Sequence, residues 1–312
     1  MRGYIGNTDY DWYSYLSSLP DIDEVNFWQP SASSGFRGEP GTPFFFRLKS
    51  PYNAIAGFGY VASYSRLPAW LAWEAFGPKN GARSLPEVRE RIERYRRRNA
   101  VTLREGDYEI GCIMVTTPTF FPPGSWVREP RGWQPNIVRG RYEDIVHGEG
   151  LRIFAECLER AAGLGANQPA EAYLAAESAL RYGKPIEIRP RLGQGTFRVA
   201  VLDAYDRACA ITGEHSLPVL EAAHVKPFAS GGEHALSNGI ALRSDIHRLF
   251  DLGYVTVTPD YGFKVSEALR DDYQNGRTYY DMQNRQLLHL PAERLRPKQE
   301  LLAWHGETVF RR

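Results

Sequence analysis

Within the stretch Val219–Val257, His224, Asn238, His247 and Asp251 fall close together. Val219–Val225 has the apolar content of a strand and ends near His224. Ala229–Ser237 is a polar, glycine-bearing loop leading to Asn238, and Ile240–Leu242 reads as a second short strand. Ser244 is placed to cap a helix that runs to about Leu252, and Gly253 closes it. On that helix His247 and Asp251 are four residues apart and share one face. Two such groups can hold a divalent cation between them, and a histidine on the facing strand can lie a few ångströms away. This arrangement suits hydrolysis of a phosphodiester. The cation would polarise a phosphate oxygen and stabilise the leaving oxygen, while a neutral imidazole, with a pKa near ~6.5, takes a proton from water.

The order strand, loop, strand, helix carrying His224, Asn238 and His247 resembles the HNH, or ββα-metal, nuclease motif. It is most similar to the subfamily found in restriction-type endonucleases. The runs that carry the resemblance are LEAAHVKP at Leu220–Pro227 and LRSDIHRLFD at Leu242–Asp251, with ACAITG at Ala208–Gly213 and LGQGTFR at Leu192–Arg198 upstream. The resemblance covers roughly residues 190–312. It implies His224 as general base, Asn238 as the brace of the loop, His247 as a metal ligand and Asp251 as a further ligand one turn on. It also implies magnesium or manganese as cofactor and nucleic acid as substrate.

Two positions depart from the motif. Many relatives carry a metal ligand immediately before the base, where this chain has Ala223. The shell is then completed by Asp251, phosphate and water. Glu221 and Asp245 are expected to point elsewhere, by strand alternation and helical phase. Many relatives also hold a structural zinc on paired CxxC motifs. Here Thr212 follows Cys209 at the partner position, and Arg243 and Ile246 fill the second pair, so no structural zinc is expected. His215 and His234 read as surface loop residues, and His305 as a packing or capping residue.

The first half is rich in aromatics. Phe44–Leu48, Ala54–Tyr64 and Ile110–Thr116 read as strands between Gly, Pro and Ser punctuation. Leu85–Arg98 reads as a helix opened by Ser84, with Glu87 three residues on. FFFRLK at Phe44–Lys49, IAGFGY at Ile55–Tyr60 and LAWEAFG at Leu71–Gly77 together resemble PUA-like folds, the superfamily of EVE, ASCH and SRA modules. That resemblance implies a β-barrel that reads a modified base flipped out of duplex DNA. An extruded base needs a flat apolar face and polar groups at its edge. Asp9, Trp28, Trp73 and Asn80 supply those types, Asp9 and Trp28 foremost, and Arg96, Arg97 and Arg98 are placed to contact phosphate.

The bulk composition fits this division. A chain of 312 residues with 43% hydrophobic residues can bury two cores, and its net charge of +1 requires any DNA-binding surface to come from clustered arginines. The three cysteines, Cys112, Cys157 and Cys209, are far apart and argue against a disulfide framework. The opening residues lack the apolar run of a signal peptide, and no apolar stretch reaches the ~18 residues of a membrane span. The expected protein is α+β and cytoplasmic. A PUA-like reader occupies residues 1–150, a helical linker 151–189 and an HNH nuclease domain 190–312. Double-stranded DNA is the expected partner, and a homodimer the expected assembly, because a duplex break needs two cuts. A nuclease for unmodified DNA, a defence effector, and a non-catalytic DNA-binding protein with a decayed site are the alternatives.

Overall fold

The computed structural model describes residues 1–32, 35–98, 108–183, 186–188 and 191–311, the side chains of Arg97 and Arg98 excepted. The chain divides into two compact units, Met1–Thr196 and Phe197–Arg312.

The first unit runs β1 (Arg2–Thr8), α1 (Tyr10–Ser17), β2 (Glu24–Gln29), β3 (Pro43–Leu48), β4 (Ala54–Pro68), α2 (Ala69–Phe76), α3 (Leu85–Arg98), β5 (Glu109–Phe120), β6 (Val127–Arg128), β7 (Gly140–Asp144), α4 (Gly148–Gly163) and α5 (Ala170–Tyr182). Its strands make one sheet in the order β2-β5-β4-β3-β1-β7, with β6 paired to β4. β1 and β3 are parallel and the other pairs antiparallel. The apolar run Pro43–Phe46 of β3 follows from burial on both faces. Phe44 and Phe46 lie in one core with Trp12, Tyr13 and Leu16 of α1, while Phe45 faces Ile153, Phe154 and Leu158 of α4. Each ring so buried contributes on the order of 1.5–3 kcal/mol.

The segment 151–189, expected as a linker, belongs to this unit. Cys157 and Ala161 of α4 and Ala172, Ala175 and Ala176 of α5 share the core of Ile5, Phe45 and Phe58. The alanine stripe lets α5 pack closely, and the division falls after Thr196. Helix α3 spans the expected residues. Ser84 Oγ accepts from Glu87 N at 3.4 Å, while the Glu87 carboxylate accepts from Arg83 N at 2.8 Å, one residue outside the reciprocal capping pattern.

Helix α6 (Gln194–Ala204) leads into the second unit, which continues with β8 (Leu220–His224), β9 (Gly239–Arg243), α7 (Ser244–Asp251), β10 (Val255–Val257), β11 (Phe263–Val265), α8 (Ala268–Tyr273), α9 (Arg277–Tyr280) and α10 (Gln299–Thr308). β8 and β9 pair antiparallel from Leu220↔Arg243 to His224↔Gly239. α7 starts directly after β9, with Arg243 rather than Ser244 at the capping position. Its end is fixed by Gly253, at φ 77°, whose N–H reaches Phe250 O while Tyr254 N–H reaches Leu249 O. Ile246 and Phe250 of α7 pack with Ile240, Leu242 and Leu302. His305 is buried against the Phe250 ring at 3.7 Å. Thr256 Oγ1 lies 2.9 Å from its Nδ1 and Phe250 O lies 3.2 Å from its Nε2. Among the described residues no helix is long and apolar enough to cross a membrane.

Candidate functional site

His224 ends β8 opposite Gly239, at the mouth of the loop joining the two strands. Its ring lies flat on Phe197, with centroids 3.9 Å apart and planes 15° apart. Its Nε2 lies 3.0 Å from Nδ1 of His234. Burial, then the neighbouring His234 and His247, lowers its pKa to about 4, so the ring is neutral at physiological pH. His234, expected as a surface loop residue, therefore sits at the site. Its ring stacks on Phe228 at 4.9 Å with planes 6° apart.

Asn238 spans the loop. Its Oδ1 accepts from Lys226 N, and its Nδ2 donates to Lys226 O and Glu233 O, each at 2.9 Å. One amide thus closes both ends of the connection between His224 and β9. Gly232 is required inside this ring, because a Cβ there would collide with Lys226 O.

His247 faces β8 from α7. Glu221 Oε2 is 2.6 Å from its Nδ1, and Asp251 Oδ2 is 3.5 Å from its Nε2. The expectation that Glu221 points elsewhere is corrected: its side chain is long enough to cross from β8 to α7. Asp245 is committed instead to Arg243, at 2.6 and 2.8 Å, and to the Tyr279 hydroxyl. Ala223 is fully buried in the core. Burial raises the Asp251 carboxyl pKa, and His247 and Arg248 oppose that rise.

Among the described residues no group of three or more His, Cys, Asp or Glu side chains converges as a ready metal cage. A two-donor site does fit. The Nε2 of His247 and Oδ2 of Asp251 have the separation that two ligands of one small cation, each at ~2.1 Å, can have. Glu221 on Nδ1 is then the carboxylate partner that fixes the ring's orientation and leaves the Nε2 lone pair outward.

A second concave site lies wholly in the first unit. It is a cavity of about 160 Å³ lined by Asn7, Asp9, Trp12, Phe27, Trp28 and Lys49, with Tyr95, Arg96, Val138 and Arg139 among its remaining walls. That is well below the roughly 300–1,000 Å³ of drug-sized pockets and on the scale of one planar ring system. Parallel pairing places Thr8 beside Leu48, so Asp9 and Lys49 emerge side by side. Lys49 Nζ donates to Asp9 Oδ1 at 2.7 Å and to the Tyr95 hydroxyl at 2.9 Å, and Tyr95 donates to the other Asp9 oxygen. Burial works against the ammonium, but Asp9 and Tyr95 outweigh it and raise its pKa, so Lys49 stays charged. Trp28 donates from Nε1 to Asn80 O at 3.0 Å and meets the Tyr95 ring edge-on.

Of the residues expected to contact a base or phosphate, Asp9, Trp28 and Arg96 line this cavity, while Trp73 and Asn80 do not. Asn80 is fully buried. It donates to Ala72 O and Gly77 O and accepts from Asn26, so it holds the wall behind Trp28. Arg96 is spent on Pro30 O and Glu109 O, with its guanidinium over the Tyr108 ring. The side chains of Arg97 and Arg98 lie outside the described residues. Lys49 and Tyr95 are brought to the cavity by the pairing of β1 with β3 and by α3.

Residues 209–258 match the family model for an HNH endonuclease, and that span holds His224, Asn238, His247 and Asp251. The protein therefore carries an HNH endonuclease domain and is a nuclease. No curated protein matches the sequence. Among solved structures, it is similar to an ASCH protein from Zymomonas mobilis, at 9% identity over 48% of this chain and 93% of the other, with a TM-score of 0.32. It is similar to the modification-dependent restriction endonuclease TagI at 11% identity over 97% of this chain and 81% of the other, with a TM-score of 0.30. It is also similar to the type IV phosphorothioation-dependent restriction endonuclease ScoMcrA, at 13% identity over 78% and 52%, with a TM-score of 0.20.

Proposed function

We infer that the protein is a modification-dependent DNA endonuclease: the cavity of the first unit takes a modified base, and the second unit hydrolyses a phosphodiester. The observation that carries the reading is the set His224, Asn238 and His247, held in strand, loop and helix with one ring nitrogen of each histidine fixed by a close partner. His224 takes a proton from water at Nδ1. The water oxygen forms a new bond to phosphorus, the ester P–O bond breaks, and the departing oxygen is protonated from solvent. Asn238 keeps the loop closed so that the base stays in place. His247 and Asp251 would hold a divalent cation, magnesium or manganese by donor type, which supplies charge stabilisation at phosphate and leaving oxygen.

The cavity supports the reader half. Its size suits one base, Trp28 and Phe27 offer stacking surface, and the Asp9–Lys49–Tyr95 cluster offers donors and acceptors at an edge. A homodimer would supply a second active site for the opposite strand.

The test is a cleavage panel of plasmids carrying different cytosine modifications, backbone phosphorothioate or neither, with magnesium or manganese. We expect cutting of one modified substrate and little of the plain one. Equal cutting of all would sink the reader half, and undiminished cutting by His224→Ala would sink the assigned base.

A further inference from the structure

His224 and His247 each have one ring nitrogen engaged by a close hydrogen-bond partner. For His247 the engaged atom is Nδ1, against Glu221; for His224 it is Nε2, against His234. The His224 contact has a consequence for protonation. A neutral imidazole carries one N–H, so His224 can accept a proton at Nδ1 only while its hydrogen resides on Nε2. We propose that His234 is a positioning residue that fixes this tautomer: its Nδ1 accepts the Nε2–H of His224 and so keeps the Nδ1 lone pair of His224 available to water. This rests on His224 being the general base.

The geometry supports the assignment from both sides. Phe197 fixes the plane of the His224 ring and Phe228 that of the His234 ring, so the two nitrogens meet between rings whose planes are both held. Among the described residues Nδ1 of His224 makes no hydrogen bond, and neither does Nε2 of His234. His234 therefore carries its own hydrogen on Nε2, its Nδ1 being the acceptor. When His224 takes up the water's proton, its Nε2–H stays on His234 as a charge-assisted hydrogen bond, which offsets part of the cost of charging a half-buried ring. The opposite arrangement, with His234 donating to His224 Nε2, places hydrogen on Nδ1 of His224 and leaves no base facing water.

The prediction can be read without any variant. In the full-length protein labelled with ¹⁵N-histidine at neutral pH, ring nitrogen shifts should place the His224 hydrogen on Nε2. A hydrogen on Nδ1 overturns the proposal. His234→Ala should lower kcat by about 10- to 100-fold, the scale for loss of an orienting partner of an active-site histidine, with KM little changed. It should also turn the His224 signals into a mixture of tautomers. His234→Asn places an amide oxygen near the position of Nδ1 and should recover most of the rate and the single tautomer. Wild-type rates in His234→Ala, or equal losses in both variants with the tautomer unmoved, overturn the role of His234. The base assignment itself fails by a different result, undiminished cutting by His224→Ala, so the two failures are separable.

Discussion

The cavity of the first unit and the histidine site of the second are both built from rings and carboxylates, yet their charges are arranged in opposite ways. In the cavity the Asp9 carboxylate is satisfied by Lys49 and Tyr95, so the polar end is balanced before anything enters. Around His247, Glu221 and Asp251 bring two carboxylates to one imidazole, with the Arg248 charge acting on Asp251. An aromatic-walled space whose carboxylate is already paired suits a planar group, because burying one leaves that carboxylate paired. A site with excess carboxylate suits a cation. The aromatic rings differ too: Trp28 and Phe27 line the cavity, while Phe197 and Phe228 each stack against a histidine. Carboxylate pairing thus sets the cavity of the first unit apart from the histidine site of the second.

Removing His247 should have the largest effect, since it carries the donor facing Asp251. His247→Ala should reduce cutting at least ~10³-fold, while binding of modified DNA, followed by fluorescence anisotropy, stays within a few-fold. Loss of both would break the separation of the two roles. Glu221→Gln keeps the shape but removes the charge that orients His247. It should weaken metal affinity by about 10- to 100-fold, measured by titrating manganese in calorimetry. Unchanged affinity would mean that Glu221 only packs. Trp28→Ala removes a stacking face worth ~1–3 kcal/mol, so discrimination between modified and plain DNA should fall by roughly 5- to 100-fold with metal affinity untouched.

The smallest effect is in stability against pH. His305 and His224 both have folded pKa values lowered to about 4, chiefly by burial. The unfolded chain binds their protons first, so stability present above pH ~6.5 is lost as pH falls toward 4. His305 alone should account for on the order of 1–3 kcal/mol of this. Thermal melts of wild type and His305→Gln between pH 7 and pH 4.5 test it: the variant should start less stable and lose less on acidification.

The nuclease end of the chain was legible because its chemistry is local. His224, Asn238, His247 and Asp251 sit in consecutive elements of a strand, loop, strand and helix that short windows of sequence reveal. Glu221 was misjudged because alternation describes where a strand residue starts, not where a long side chain ends. His234 was missed because its loop has no period from which a direction could be read; its place is set by the Phe228 stack. In the first unit Phe44–Phe46 and α3 were legible from composition and capping. The Asp9–Lys49–Tyr95 cluster was not, because it depends on parallel pairing of β1 and β3, a long-range choice that no short window encodes. The alanines of α5 lack the bulk that marks a core helix in sequence, and so the segment read as a linker.

Asn238 carries a chemical hazard along with its structural task. It is followed by Gly239, and an asparagine before glycine is among the sites most open to attack by the next backbone nitrogen, ending in aspartate. Here both amide atoms are tied to Lys226 and Glu233, and Gly239 is held in the β8–β9 ladder. The closed loop thus slows its own ageing. Once deamidated, position 238 would present a carboxylate to the carbonyls of Lys226 and Glu233, which it can no longer serve as a donor. The loop beside His224 would not close again. An old preparation should accumulate an acidic isoform that still binds modified DNA and no longer cuts it.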